Sequence, residues 1–328
     1  MNRSSVYMRY VLVLFLSIGV LSEEANKKYS IEKASFMGLA NSWRVKMGNL
    51  EILIPTEIGP RILHFSKIGK PNLFRVIEDQ IQNRSGRNWQ NFGGHRLWRA
   101  PEDRTLTYSP ESSEVSLEDN PDYIRISKLD TLNSLLKEIE IYPNGENSIR
   151  VVHRLTNKSK TDTRVSAWAL TVLPLAGKAI LPLTKRGLHS ENLLATDSIH
   201  LWTYTDMTDP TFLWGKDFIV MQKKENSNLP QKIGVGGEKL WAAYILDDQL
   251  FIKKYSITAT RSYPDRNSRV EVFINKKFVE LETLSPLVRL KEKESITHTE
   301  VWYLHTLPSN TLSNEEIVKY VEEALGEK

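Results

Sequence analysis

Short alternating apolar runs, each closed by a turn signal, recur along most of this chain and constrain its fold more than any other feature. Trp43-Arg-Val-Lys-Met47 and Leu50-Glu-Ile-Leu-Ile-Pro55 flank Gly48-Asn49, which reads as a hairpin turn. Arg61 to Phe65 is a further short strand after Gly59-Pro60. Lys137 to Tyr142 and Ser148 to Leu155 make a second hairpin around Pro143-Asn-Gly145. Arg164 to Leu173, Trp241 to Leu246, Phe251 to Ile257, Arg269 to Phe273 and Val301 to Leu304 read the same way. A period near two with frequent turns favours an all-β sandwich over alternating strands and helices. One helix is expected, near the C-terminus. Ser313-Asn-Glu-Glu316 is a capping box, Ile317, Val321 and Leu325 share a face, and Gly326 ends the run.

The N-terminus has a different grammar. Arg3 and Arg9 precede an apolar stretch from Val11 to Leu21, and Ser22 gives way to Glu23 and Glu24. This order predicts a secretory signal peptide over residues 1–22, cleaved between Ser22 and Asn26, with one domain over 23–328. The apolar run is shorter than the ~20 residues a membrane span needs, so no stable span is expected after cleavage. The expected destination is the periplasm or the cell exterior. The chain has no cysteine, which removes disulfides, thiol nucleophiles and thiolate metal sites. Lys and Arg number 44 against 40 Asp and Glu; without Arg3 and Arg9 the excess is 42 − 40 = +2. That balance gives no electrostatic case for nucleic acid. Eight tryptophans are more telling, because indoles stack on sugar faces as well as filling cores.

Chemistry concentrates in two segments. Asn91-Phe-Gly-Gly-His-Arg-Leu-Trp-Arg-Ala-Pro-Glu102 offers an imidazole, two guanidinium groups, an indole and a carboxylate after two glycines. Such a set suits bidentate hydroxyl recognition against an aromatic face. The bland alternative is a surface loop in which Glu102 pairs with Arg96 or Arg99. In Phe278-Val-Glu-Leu-Glu-Thr-Leu-Ser-Pro286, Glu280 and Glu282 are two apart and share one side of a strand. That side is either solvated or, given its apolar neighbours, buried enough to raise a carboxylate's pKa. Trp202, Tyr204, Asp206, Asp209, Trp241 and Lys253 are further lining candidates. Gly234-Val-Gly-Gly237 lacks the Lys-Ser/Thr of a nucleotide loop. No His-x-x-x-His or carboxylate spacing points to a metal, no cofactor is implied, and a calcium held by Asp and backbone oxygens stays open.

Gly59-Pro60-Arg61, Gly93-Gly94-His95-Arg96-Leu97-Trp98, Trp168-Ala-Leu-Thr171 and Glu280-Leu-Glu-Thr-Leu-Ser-Pro286 resemble landmarks of the galactose mutarotase-like superfamily. The resemblance runs from about Trp43 to Trp302 and implies a large twisted β-supersandwich with a sugar or oligosaccharide in an open groove. It implies Glu282, in Leu-Glu-Thr, as the base of an aldose epimerase, with Glu280 beside it, and His95 as the acid across the groove. It implies Arg61, Arg96, Trp98, Trp168 and Glu280 as substrate-binding residues, to which Trp241 and Lys253 are added only as the lining candidates named above. One departure stands out: Thr156-Asn157 is followed by Lys158 where mutarotases carry a histidine. His153, among Val151, Val152 and Leu155, reads as a structural histidine. The expectation is an exported carbohydrate-binding protein, with epimerase action open to it through Glu282 and His95, and a non-catalytic accessory sandwich as the alternative.

Overall fold

The computed structural model describes residues 27–84, 88–258 and 262–327. The expected signal segment and its cleavage site lie outside them. The fold is all-β, with three antiparallel sheets and a C-terminal helix. A four-stranded sheet orders Tyr29–Phe36, Leu39–Met47, Leu50–Pro55 and His64–Lys67. A ten-stranded sheet has Gln249–Tyr255, Ser295–Thr306, Ser148–Asn157 and Leu135–Gly145 at its centre. The third sheet runs Ile199–Leu201, Gln231–Val235, Val270–Ile274, Val279–Leu284, Thr163–Leu173, His95–Ala100 and Arg61–Ile62, with Val288–Leu290 added to Thr163–Leu173. One apolar core draws on all three: Val45 and Ile52, Leu155 and Trp302, and Leu97 and Leu281.

The hairpin at Gly48-Asn49 joins Met47 to Leu50 as its sequence requires, with Gly48 at φ 56. The second hairpin turns later than expected. Pro143 stays within its strand opposite Ile149, beside a register shift, and the chain reverses between Gly145 and Ser148. A bulge is where a strand tolerates a residue without an N–H. Arg61 to Phe65 is two strands, because the chain changes sheets there. Arg61–Ile62 pairs with Arg96 and His95, whereas His64–Lys67 pairs with Leu50–Leu53. Ser313 and Glu316 form the reciprocal cap expected of them, and Ile317, Val318 and Val321 of the helix Asn314–Ala324 pack with Trp241, Leu250 and Ile252.

Gly93 and Gly94 set the entry to His95–Ala100. Both have positive φ (81 and 70). A Cβ on Gly93 would strike the carbonyl of Arg75, and one on Gly94 the carbonyl of Ile62. Left-handed strain and backbone overlap together make Gly94→Ala costly, by at least about 2 kcal/mol. Urea unfolding should show that loss; a midpoint within error of the wild type would contradict this packing.

Candidate functional site

Pleating decides which side chains meet. On the third sheet, Trp98 opposes Trp168, Arg96 opposes Leu170, Leu170 opposes Glu282, and Glu282 opposes Glu271. Residues at period two share a face, so Arg96, Trp98, Trp168, Glu280, Glu282, Glu271 and Lys232 all stand on one side. All of them but the fully buried Glu271 floor an open groove of ≈ 460 Å³, walled by Trp89, Glu102, Tyr108, Tyr204 and Phe273. A second cavity of ≈ 370 Å³, around Glu111, Lys128, Asp130 and Lys137, has no aromatic wall.

The groove floor is a charge lattice with few free atoms. Arg96 Nη2 donates to Glu280 Oε1 at 2.8 Å, and its guanidinium lies 4.1 Å from the ring centre of Trp98. Lys232 Nζ lies 3.0 Å from Glu282 Oε2 and 2.8 Å from Glu271 Oε2, between the indoles of Trp168 and Trp202. Trp168 Nε1 donates to the same Glu282 oxygen at 2.9 Å. Burial opposes the charge of Lys232, but Glu271 and Glu282 outweigh it and hold its pKa well above the ordinary value. One ammonium serves two carboxylates. Burial therefore dominates Glu271, whose pKa is pushed far up, and Glu282, which Lys232 pulls down and Glu280 pushes up to a net rise. The two carboxylates share one ammonium and titrate as a pair, each raised by burial. The indole N–H groups of Trp89 and Trp98, two residues that line the groove, are buried and have no partner among the described residues. Tyr108 donates a short hydrogen bond to Glu102, so Glu102 pairs with neither Arg96 nor Arg99.

His95 does not belong to this groove. It precedes Arg96 on one strand, so its ring points through the sheet into the core and packs 4.6 Å from Trp302. The expected acid–base pair across one groove is corrected: His95 and Glu282 lie on opposite faces of the same sheet. None of the seven histidines lines the groove. Arg61 is fully buried, with Nη1 donating to the Gly93 carbonyl at 2.8 Å and Nη2 to Glu111 at 2.6 Å, outside the groove lining. Trp241 is core beneath the C-terminal helix. Lys253 lies between the sheets, 2.8 Å from Glu300. Tyr204 reaches the groove, whereas Asp206 and Asp209 do not.

Behind the floor is a second polar assembly. The His298 carbonyl can only accept, so His153 carries its proton on Nδ1 and donates at 3.1 Å. His95 Nε2–H then donates to His153 Nε2 at 2.7 Å, and the Thr171 hydroxyl donates to His95 Nδ1 at 2.9 Å. Glu300 accepts from Lys253 at 2.8 Å, from Trp302 Nε1 at 2.7 Å and from the Thr283 hydroxyl. His95, His153 and Glu300 bring donor atoms within 4.8 Å of one another, a grouping that sequence spacing did not reveal. A divalent cation there would face the Lys253 ammonium with one carboxylate to balance both. The electrostatics favour the neutral hydrogen-bond chain.

That chain makes stability acid-sensitive. Burial lowers His298 to about 3 and His153 to about 4, although Glu300 opposes both shifts. Between the ordinary 6.5 and about 4, the unfolded chain protonates His153 and the native state does not. Stability from this group is complete above 6.5 and falls as pH drops through that window. The raised Glu271 and Glu282 act in the opposite sense, so the His153→Gln variant isolates the histidine. From about pH 7.5 to about pH 5, the wild type should lose more stability than His153→Gln in urea titrations. Parallel losses would contradict a neutral buried His153.

Comparisons with known proteins place this geometry. No family model matches the sequence, and no curated protein matches it. Solved structures do. The Slr1438 protein of Synechocystis sp. aligns at TM-score 0.54 and 10% identity, over 84% of this chain and 99% of its own. A galactose mutarotase-like protein of Clostridium acetobutylicum aligns at TM-score 0.52 and 10% identity, over 86% and 100%. The chain has the galactose mutarotase-like fold. A TPR-domain containing protein of Parabacteroides distasonis also aligns, at TM-score 0.51 and 10% identity, over 83% of this chain but 48% of that one. At such identities the likeness is one of fold. On this mutarotase-like sandwich, the sequence located Arg96, Trp98, Trp168, Glu280 and Glu282 at the groove. It missed Lys232, Trp89 and Tyr108 at the groove, and Glu271 beneath it. A lone charge inside each apolar run, Gln231–Val235 and Val270–Ile274, was the available signal.

Proposed function

We propose that this protein is exported and binds a carbohydrate in the groove floored by Arg96, Trp98, Trp168, Lys232, Glu280 and Glu282. The observation that carries the reading is two carboxylates, each fixed by a cation, on the floor of an open aromatic-walled groove. Carboxylates accept from paired sugar hydroxyls, indole N–H groups donate to sugar oxygens, and ring faces cover C–H faces. None of the helices among the described residues is long and apolar enough to cross a membrane.

Epimerase action is the second reading, favoured by the raised pKa of Glu282, which suits a general base. It requires a proton donor other than histidine on the groove side. Lys232 is held too strongly protonated, and Tyr108 is tied to Glu102. Binding without chemistry is therefore the primary reading. Anomer exchange of free aldoses, followed by NMR line shape beside calorimetric titration, separates the two. Binding without exchange fits the primary reading, and catalysed exchange fits the second. Neither across a broad panel would leave an accessory sandwich for a protein partner.

A further inference from the structure

The turn that carries Tyr204 into the groove continues along the chain to another exposed aromatic residue, Trp214. Asp206 N donates to Gln231 Oε1 at 2.8 Å, and the Thr205 hydroxyl donates to the Lys232 carbonyl. Asp209 accepts from the N–H groups of Thr211 at 2.8 Å and Asn228 at 2.6 Å. The first two bonds fix the turn to the strand that supplies Lys232, and the last two tie its continuation to Asn228. Beyond it, Trp214 Nε1 donates to the Met207 carbonyl at 3.3 Å, and the indole stacks on Phe212 at 5.7 Å and 25°. Its N–H is satisfied and one face is covered, yet the residue is 41% exposed. An indole already fixed in orientation loses little freedom when a ligand stacks on it.

The surroundings indicate which ligand. Between Tyr204 and Trp214, exposed Met207 alternates with exposed Asp206 and Thr208. The centre of a protein interface is depleted of charge. A pyranose, with hydroxyls around a C–H face, matches alternating polar and apolar groups. We propose that Trp214 forms an outer subsite for a later unit of an oligosaccharide whose first unit occupies the groove. The inference rests on the carbohydrate reading of the groove and extends it to the length of the ligand.

The test is calorimetric titration of wild type, Trp214→Ala and Trp214→Phe. The probes are D-glucose, D-galactose, D-mannose and their β-1,4-linked tetrasaccharides. The account expects one tetrasaccharide to bind wild type more tightly than its monosaccharide. Trp214→Ala should weaken the tetrasaccharide about ten-fold and leave the monosaccharide unchanged, with Trp214→Phe near wild type. Equal affinity for both lengths, or an unchanged tetrasaccharide affinity in Trp214→Ala, would overturn the subsite while leaving the groove reading intact. A concentration-dependent dimer dispersed by Trp214→Ala would reassign the surface to self-association. Failure of every sugar to bind wild type would remove the groove reading together with the subsite.

Discussion

Replacing Lys232 with Met should destabilise the protein by about 3–5 kcal/mol, the scale for removing one partner from a buried ion pair. Lys232 is 4% exposed, and its ammonium is the cation that faces both Glu271 and Glu282. Those two carboxylates are cross-strand partners, so without the lysine they confront each other in a buried site. Methionine fills much of the space but supplies no charge. The deficit should be largest near pH 8 and shrink toward pH 5, because protonation of the carboxylates then replaces the missing cation. Denaturant midpoints of both proteins across that range check the claim. A small, pH-independent difference would mean that the lattice is not the electrostatic unit described.

Why this lattice escaped the sequence is a matter of register. The alternation of strands was legible because each run carries its own period, and Trp241–Leu246 has the bounds its pattern predicts. Glu280 and Glu282 could be placed on one face because they share a strand. Lys232, Glu271 and Glu282 come from three different strands, and only the register of their pairing brings them together. A slip of one residue would turn any of them to the opposite face. His95 failed for the converse reason. Its role came from the resemblance alone, which carries no strand alternation to separate it from Arg96. Once Gly93 and Gly94 are seen as the entry to a strand, adjacent residues cannot share a groove. Trp89 and Tyr108 reach the site from segments without strand periodicity, and nothing local marks their destination.

Glu282→Gln carries the second large effect. The amide keeps the shape and one acceptor but removes the charge that holds Lys232 and receives the Trp168 N–H. In a binding protein this should weaken sugar affinity by about 1.5–3 kcal/mol, the worth of a hydrogen bond to a charged group. If Glu282 is instead a general base, turnover should fall by about 10²–10⁴-fold while affinity changes little. Stability distinguishes either outcome from simple unfolding. Glu271 remains to pair with Lys232 at 2.8 Å, so Glu282→Gln should cost less stability than Lys232→Met. An unaltered affinity together with unaltered turnover would remove Glu282 from the site.

The most direct measurement is the position of a bound sugar. A crystal structure with the tightest-binding member of the calorimetric panel should show a ring over the Trp98 and Trp168 end of the groove. Its hydroxyls should lie within about 2.7–3.2 Å of Glu280 and Glu282. A sugar seated instead in the cavity of Glu111, Lys128 and Lys137, or on the far side of the sheet near His95, would contradict the account.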